Sequence, residues 1–219
     1  MNSRKPLIAF LLVLALASPY LVLAEVRKDY YDSGKLKYEW NYKDGKPEGI
    51  SKRYYENGNL EGEYNYKDGK EEGIWKGYYE SGNLHYEFNF KDGKLEGIWK
   101  EYYESGKLQA ERNYKDGKAE GMSRDYYENG NLMAEVNCKN GKEEGISKEY
   151  YESGNLKAEW NYKDGKEEGI SKVYYKHGGI MYTETYKNGQ KINRKAYDER
   201  GKLESDEDYP YMEQLRELK

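Results

Sequence analysis

Few side chains in this sequence have the types and spacing that catalysis or metal binding requires. The two histidines, His85 and His177, occupy different positions of a repeated pattern and lack matching partners. Because a metal site needs several ligands at fixed spacings, we interpret both as surface residues. The single cysteine, Cys138, stands where Tyr or Phe recurs elsewhere. This position favours a small apolar filler over a reactive thiol or a thiol paired between molecules.

Carboxylates are abundant, but they recur once per repeat, as a structural position does. This column holds Glu39, Glu63, Glu87, Glu111, Glu135 and Glu159. A catalytic acid–base pair is expected to break such a repetition. The Asp-Gly dipeptides could suggest Ca²⁺ binding, yet Lys precedes and follows each of them, which favours turns. We therefore predict that the protein is not an enzyme and has no catalytic residue, no cofactor and no metal site.

All these residues are positioned by a repeat of 24 residues, seen most clearly from Gly145 to Glu168. The second tyrosine of a Tyr-Tyr pair marks seven copies in strict register, at Tyr31, Tyr55, Tyr79, Tyr103, Tyr127, Tyr151 and Tyr175. A fixed period of this length is the signature of a repeat architecture.

Each copy predicts one β-hairpin. Leu156, Ala158, Trp160 and Tyr162 alternate with polar residues, which is the period of a strand with one apolar face. Of the 24 glycines, 20 fall in three columns. Two columns are hairpin turns, and the third indicates a bulge or a ring lying over bare backbone. The predicted fold class is all-β, an elongated single-sheet meander of tandem β-hairpins.

The first 24 residues differ from the rest. Arg4 and Lys5 precede the apolar run Leu7 to Ala17, and Val22-Leu23-Ala24 resembles a peptidase site. This layout predicts residues 1–24 to be a secretory signal peptide that is cleaved near Ala24. The protein would then be exported to the periplasm, the cell surface or the medium. The alternative is an uncleaved N-terminal anchor, since the apolar stretch is just long enough to span a membrane.

The predicted domain organisation follows the repeats. Residues 25–190 form seven tandem repeats, and residues 191–209 form a degenerate terminal repeat that lacks the Asp-Gly turn. An atypical end is what a repeat array needs to stop stacking. Residues 210–219 form a C-terminal tail, interpreted as a short helix that caps the last strand edge with Met212, Leu215 and Leu218.

Charge gives little indication of a partner by bulk attraction. The sequence has 41 acidic and 37 basic residues, and they are interspersed. Neither nucleic acid nor an anionic membrane is therefore implied as an electrostatic partner. Aromatic residues make up 16% of the chain, which argues against disorder despite the high charge content.

The array Gly-Ile-x-Lys-x-Tyr-Tyr-Glu-x-Gly-x-Leu followed by Asn-Tyr-Lys-Asp-Gly-Lys resembles the bacterial MORN repeat variant. The resemblance covers nearly the whole chain after residue 24. This family includes YwqK-like proteins, which are labelled as antitoxins. The resemblance implies that the chain is a scaffold or binding module. MORN repeats also accompany plant phosphatidylinositol-phosphate kinases, but this sequence contains no kinase motif.

The alternating strand face is the candidate binding surface. We predict that Trp40, Tyr64, Phe88, Arg112 and Trp160 bind a protein partner there. The face either packs as core, if the sheet curls, or stays exposed for binding or self-association. The alternatives are a carbohydrate- or choline-type cell-wall repeat, which fits poorly with only four Trp, and an inhibitor of an exported toxin. Association with a membrane or a cell wall stays open.

Overall fold

The computed structural model describes residues 23–210, which divide into two compact units. We call residues 23–107 unit 1 and residues 108–210 unit 2. Most of the predicted signal peptide and the predicted capping helix lie outside the described residues. The part of the chain that the structure describes contains strands and no helix.

The strands of unit 1 follow one another as antiparallel hairpins. They are β1 (Ala24–Tyr30), β2 (Leu36–Lys43), β3 (Lys46–Pro47), β4 (Gly49–Tyr54), β5 (Leu60–Lys67), β6 (Lys70–Glu71), β7 (Gly73–Tyr78), β8 (Leu84–Lys91), β9 (Lys94–Leu95) and β10 (Gly97–Tyr102).

Unit 2 repeats this order and adds a final hairpin. Its strands are β11 (Leu108–Lys115), β12 (Lys118–Ala119), β13 (Gly121–Tyr126), β14 (Leu132–Lys139), β15 (Lys142–Glu143), β16 (Gly145–Tyr150), β17 (Leu156–Lys163), β18 (Lys166–Glu167), β19 (Gly169–Tyr174), β20 (Ile180–Lys187), β21 (Gln190–Tyr197) and β22 (Leu203–Asp208). The predicted all-β meander of tandem β-hairpins is confirmed.

The Asp-Gly dipeptides form the tight turns that the sequence predicts. Asp44 and Gly45 both have positive φ, 50° and 77°. Two successive residues in this region define the type I′ turn, whose twist matches that of the flanking strands. The same conformation recurs in this turn of each later copy, at Asp68, Asp92, Asp116, Asn140, Asp164 and Asn188 and the glycine that follows each of them.

A bulge follows each of these turns in the seven-copy pattern. In the first copy, Tyr42 pairs with Pro47 and Tyr38 pairs with Arg53, so the second strand carries extra residues. Gly49 adopts φ of 77°, and nothing lies within 4 Å of the space that a Cβ would fill. The third glycine column therefore marks a bulge and not a covering ring.

Hydrogen bonds between successive copies hold the hairpins in register. The Tyr55 hydroxyl donates to the carbonyl oxygen of Tyr78 at 2.7 Å, and the Glu48 carboxylate accepts from the Asp68 N–H at 2.7 Å. Equivalent tyrosine bonds occur at Tyr31, Tyr79, Tyr127, Tyr151 and Tyr175. Within each unit, successive copies are thereby bonded to each other, as expected for a stack stabilised by neighbour contacts.

Among residues 23–210, only small side chains are fully buried. Ser51 is 1% exposed, and Ala110 and Ala158 are each 2% exposed. The large rings on the same face are half-buried. Within each unit the rings therefore do not form the filled core that a curled sheet would give. Instead they lie over small, buried residues of the sheet.

Candidate binding face

Strand alternation gathers the aromatic side chains of unit 1 on one face. The aromatic face, as we call it, consists of Tyr38, Trp40, Tyr42, Tyr64, Tyr66, Trp75, Tyr86, Phe88, Phe90 and Trp99. These residues come from β2, β5, β7, β8 and β10. Because successive side chains of a strand point to opposite faces, each long strand contributes two or three rings.

Trp75 is the centre of this face. Its ring centroid lies 4.9 Å from those of Tyr64 and Phe90, both with edge-to-face geometry, and 6.1 Å from that of Phe88. Its indole N–H donates to the Asn65 carbonyl oxygen at 2.9 Å. Such ring distances and angles are the favourable ones for aromatic pairs, so the cluster is held as one packed layer.

Glycines give the rings room to lie flat against the sheet. A Cβ on Gly62 would come within 2.4 Å of the Tyr64 hydroxyl, and one on Gly77 within 2.2 Å of the Tyr86 ring. Both glycines are buried strand residues opposite one another. The bare backbone at these positions is therefore covered by tyrosine rings.

Three of the five predicted binding residues join this cluster. The ring centroids of Trp40 and Tyr38 are 6.0 Å apart, and those of Tyr64 and Trp75 are 4.9 Å apart. The Phe88 centroid is likewise 4.9 Å from that of Trp99. All three are on the same face of unit 1, although they come from different repeats.

The other two predicted residues belong to unit 2, where the same face carries small or charged residues and fewer rings. Arg112 donates to the Asp125 carboxylate at 2.8 Å, so its guanidinium is paired within the sheet. Trp160 stands opposite Ser147, and it has no ring contact among the described residues.

Sequence reasoning missed Trp75 as part of the face. It lies on the short strand β7, in a column that holds Ser51 one repeat earlier. The cross-strand pairing of Trp75 with Phe88 was the signal, but the preceding bulge sets that register. Counting alternate residues along the long strands alone does not reveal it.

The cations on the aromatic face are neutralised locally. The Arg27 guanidinium lies 4.3 Å from the Tyr42 ring centroid and 2.8 Å from the Glu25 carboxylate. The Arg53 guanidinium lies 5.4 Å from the Tyr38 centroid and pairs with a carboxylate of its own hairpin. Burial raises the pKa of the Tyr64 phenol, so its hydroxyl stays neutral and can donate a hydrogen bond.

The opposite face carries ion pairs in a repeated arrangement. In unit 2, Lys172 pairs with Glu159 at 2.9 Å, and the Tyr174 hydroxyl donates to the same carboxylate at 3.1 Å. Burial, together with a hydrogen bond to Glu135, raises the pKa of Tyr150 to about 12. The Lys172 bond also holds the pKa of the Glu159 carboxyl below its usual value.

His85 and Cys138, the candidates from the sequence for metal binding and reactivity, make structural contacts in the sheet. His85 stacks on Tyr79, with centroids 4.2 Å apart, and its ring lies 3.5 Å from Glu101. Cys138 is half-buried, and burial raises the pKa of its thiol. Among residues 23–210, no three His, Cys, Asp or Glu side chains lie close enough together to hold a metal ion. Across the same residues, no helix has the length and apolarity that crossing a membrane requires.

Comparison with known protein families agrees with the repeat pattern. Seven segments of the chain match the family described as MORN repeat variant, at residues 26–44, 47–68, 71–92, 95–116, 119–140, 143–164 and 167–188. Together they cover more than half of the chain. No curated protein sequence matches it.

Proposed function

Because the chain belongs to the MORN repeat variant family, we propose that it is a non-enzymatic repeat module that binds a protein partner on the aromatic face of unit 1. One observation carries this proposal. The rings of the aromatic face are half-buried, contact one another at 4.9–6.1 Å, and receive no covering layer from the described residues of unit 1.

The chemistry of this face favours a protein partner. Tryptophan and tyrosine dominate the energetic centres of protein interfaces because they combine large apolar area with a polar group and few rotatable bonds. Trp40, Tyr64 and Phe88 are the binding residues that we propose for unit 1. Arg112 and Trp160 are proposed as weaker contacts in unit 2, where no such cluster surrounds them.

A carbohydrate or choline ligand is a less suitable occupant. An aromatic cage in every repeat would need free ring faces at a regular interval. In unit 1 the rings instead pack against each other around Trp75, and the corresponding column of unit 2 holds serine.

We also propose that the module acts outside the cytoplasm after cleavage near Ala24. The layout of the N-terminal sequence supports export. Cleavage after Ala24 would remove the two hydrogen bonds between Leu23 and Asp44 and leave the rest of β1 paired with β2. The intact mass of the protein recovered from a bacterial host tests this; a mass that includes residues 1–24 would support the anchored alternative.

The binding proposal is tested with a matched pair of substitutions. Trp40→Ala and Trp160→Ala make the same change in the same repeat column, but only Trp40 lies in an aromatic cluster. A partner is first captured from envelope extracts, identified and purified. Its affinity for the wild type and both variants is then measured by calorimetry.

We expect Trp40→Ala to weaken binding about tenfold or more, as an interface anchor does, and Trp160→Ala to weaken it only slightly. Equal affinities for the wild type and Trp40→Ala, with circular dichroism unchanged, would refute the aromatic face as the site. A captured glycan would support the cell-wall alternative. An exported toxin that loses activity on binding would support the antitoxin-like one, which the YwqK-like resemblance suggests.

A further inference from the structure

The face opposite the aromatic face carries a regular row of exposed isoleucines. In unit 1 the row consists of Ile50, Ile74 and Ile98, which are 48%, 58% and 54% exposed. We call these three residues the isoleucine row of unit 1. Each follows the bulge glycine, and Ile50 and Ile74 stand opposite Asn65 and Asn89 of the next long strand. The bulge therefore presents one large apolar side chain per repeat to solvent.

Asparagine side chains fix the bulge that presents these residues. The Asn41 amide donates to the carbonyl oxygen of Ile50. In unit 2 the Asn161 amide donates to the carbonyl oxygen of Ile170 at 3.0 Å. Since the bulge carbonyl is satisfied within the sheet, the exposed side chain is a fixed feature of the repeat and not a frayed strand end.

A cleft separates neighbouring members of the row. It lies between Ile74 and Ile98, is lined also by Glu87, Phe88, Asn89 and Lys100, and has a volume of about 220 Å³. This is several times the ~30 Å³ that one water molecule occupies in the liquid, so the cleft can hold an aliphatic side chain.

The charges beside this cleft alternate across the sheet, because Lys76 and Lys100 stand opposite Glu87 on the two strands that flank it. Among the described residues these three side chains form no ion pair within 4 Å, and Glu87 accepts a 3.1 Å hydrogen bond from the Tyr102 hydroxyl. Four other glutamates of this column, Glu39, Glu63, Glu135 and Glu159, do pair with lysines.

We propose that the isoleucine row of unit 1 is a self-association surface on which a second copy of this chain docks face to face. Successive members of the row lie two strands apart, about 9–10 Å. A second copy has apolar side chains at the same interval, so inserting one of them into the cleft aligns the others as well. A partner of unrelated sequence has no such built-in match.

Charge complementarity follows from the same register. Each exposed isoleucine shares its strand with a lysine two residues on, and the cleft lies over β8, the strand that carries Glu87. An isoleucine of one copy that enters the cleft over β8 therefore brings its own lysine to Glu87. In a two-fold arrangement the contact is made twice, so the alternating lysine and glutamate of each copy face opposite charges on the other.

The expected association is weak. A stable interface buries about 800 Å² per partner, and three half-exposed isoleucines supply only part of this area. Self-association should therefore appear at high micromolar concentrations and not at nanomolar ones.

Sedimentation velocity of the full chain, purified as the host processes it, tests the proposal over a range of about 1–500 µM. The wild type should show a rising average mass. Ile74→Thr with Ile98→Thr keeps β-branched side chains but removes the apolar row, and it should raise the dissociation constant about tenfold or more. The matched control, Ile146→Thr with Ile170→Thr, makes the same changes in unit 2 and should shift the constant less than about threefold.

A charge exchange provides a second variant if the threonine protein fails to fold. Glu87→Lys should weaken association, and adding Lys76→Glu and Lys100→Glu should restore it, because the copies again carry opposite charges in register. A wild type that stays monomeric throughout the range would overturn the proposal. So would equal weakening by both threonine pairs, or a charge exchange that does not restore association. Association that is lost instead in Trp40→Ala would place self-contact on the aromatic face.

Discussion

Units 1 and 2 share the same hairpin scaffold, yet one face of that scaffold differs sharply between them. In unit 1 the face holds ten aromatic rings around Trp75. In unit 2 the corresponding strands carry small or charged residues, among them Ala110, Arg112 and Val136, and fewer rings. The turns, the bulges and the tyrosine bonds between copies are the same in both units.

The difference shows that the scaffold and the face are determined by different positions of the repeat. Backbone geometry depends on the Asp-Gly turn, the bulge glycine and the tyrosine that bonds to the next copy. The face depends on strand positions that tolerate glycine, alanine, serine or tryptophan. A family of repeats can therefore keep one fold while its individual copies acquire different surfaces.

The largest expected difference between the units concerns tryptophan. Trp75→Ala removes a ring that contacts several others and loses the indole bond to Asn65, so we expect a loss of about 2–4 kcal/mol. Trp160→Ala, in a site without ring contacts, should cost about 1 kcal/mol or less. Urea denaturation followed by circular dichroism measures both. Equal losses would show that ring packing does not stabilise unit 1 specifically.

The scaffold should respond alike in both units. Tyr55→Ala and Tyr127→Ala each remove a ring and a hydroxyl bond of 2.7–2.8 Å to the next copy, so each should lower stability by about 2 kcal/mol. Thermal denaturation of the two variants gives the comparison. If only one of them lowers the melting temperature, the tie between copies is not a shared property of the repeat.

Much of the fold was predictable from the sequence because the same local sequence pattern recurs in every copy. The 24-residue period, the alternation in the long strands and the Asp-Gly turns each have one ready physical interpretation. The aromatic face could also be predicted along the long strands, where Trp40, Tyr64 and Phe88 occur at corresponding positions.

The remainder depended on register, which a single strand does not reveal. The extra residues of the bulge decide that Trp75 faces Phe88 and that Ile74 protrudes from the other face. The pairing of Arg112 with Asp125 is likewise a diagonal contact across two strands. Sequence spacing alone does not show how many residues a bulge inserts, so these contacts could not be inferred.

Cys138→Tyr would make the face of unit 2 more like that of unit 1. The thiol is half-buried on a strand position that a ring occupies in the neighbouring copies. We expect a gain of about 0.5–1.5 kcal/mol, the scale of an aromatic pair, in the free energy of unfolding. No gain, with Cys138→Ala as the control for loss of the thiol, would mean that the surrounding small residues already fill the space.

The smallest expected effect concerns acid stability in unit 2, and it compares two glutamates of the same column. Lys172 and Tyr174 lower the pKa of Glu159 in the folded state below the 4.5 of the unfolded chain. The resulting stability is present above pH 4.5 and is lost as the pH falls through the folded-state pKa. Glu159→Gln should therefore cost less than about 1 kcal/mol at pH 7, and its difference from the wild type should vanish at low pH.

Glu111 has no ion pair among the described residues, so Glu111→Gln should leave stability unchanged at both pH values. Melting temperatures of the three proteins between pH 7 and pH 3 decide the matter; a Glu159→Gln deficit that persists in acid would show that the side chain stabilises the sheet by packing and not by its charge.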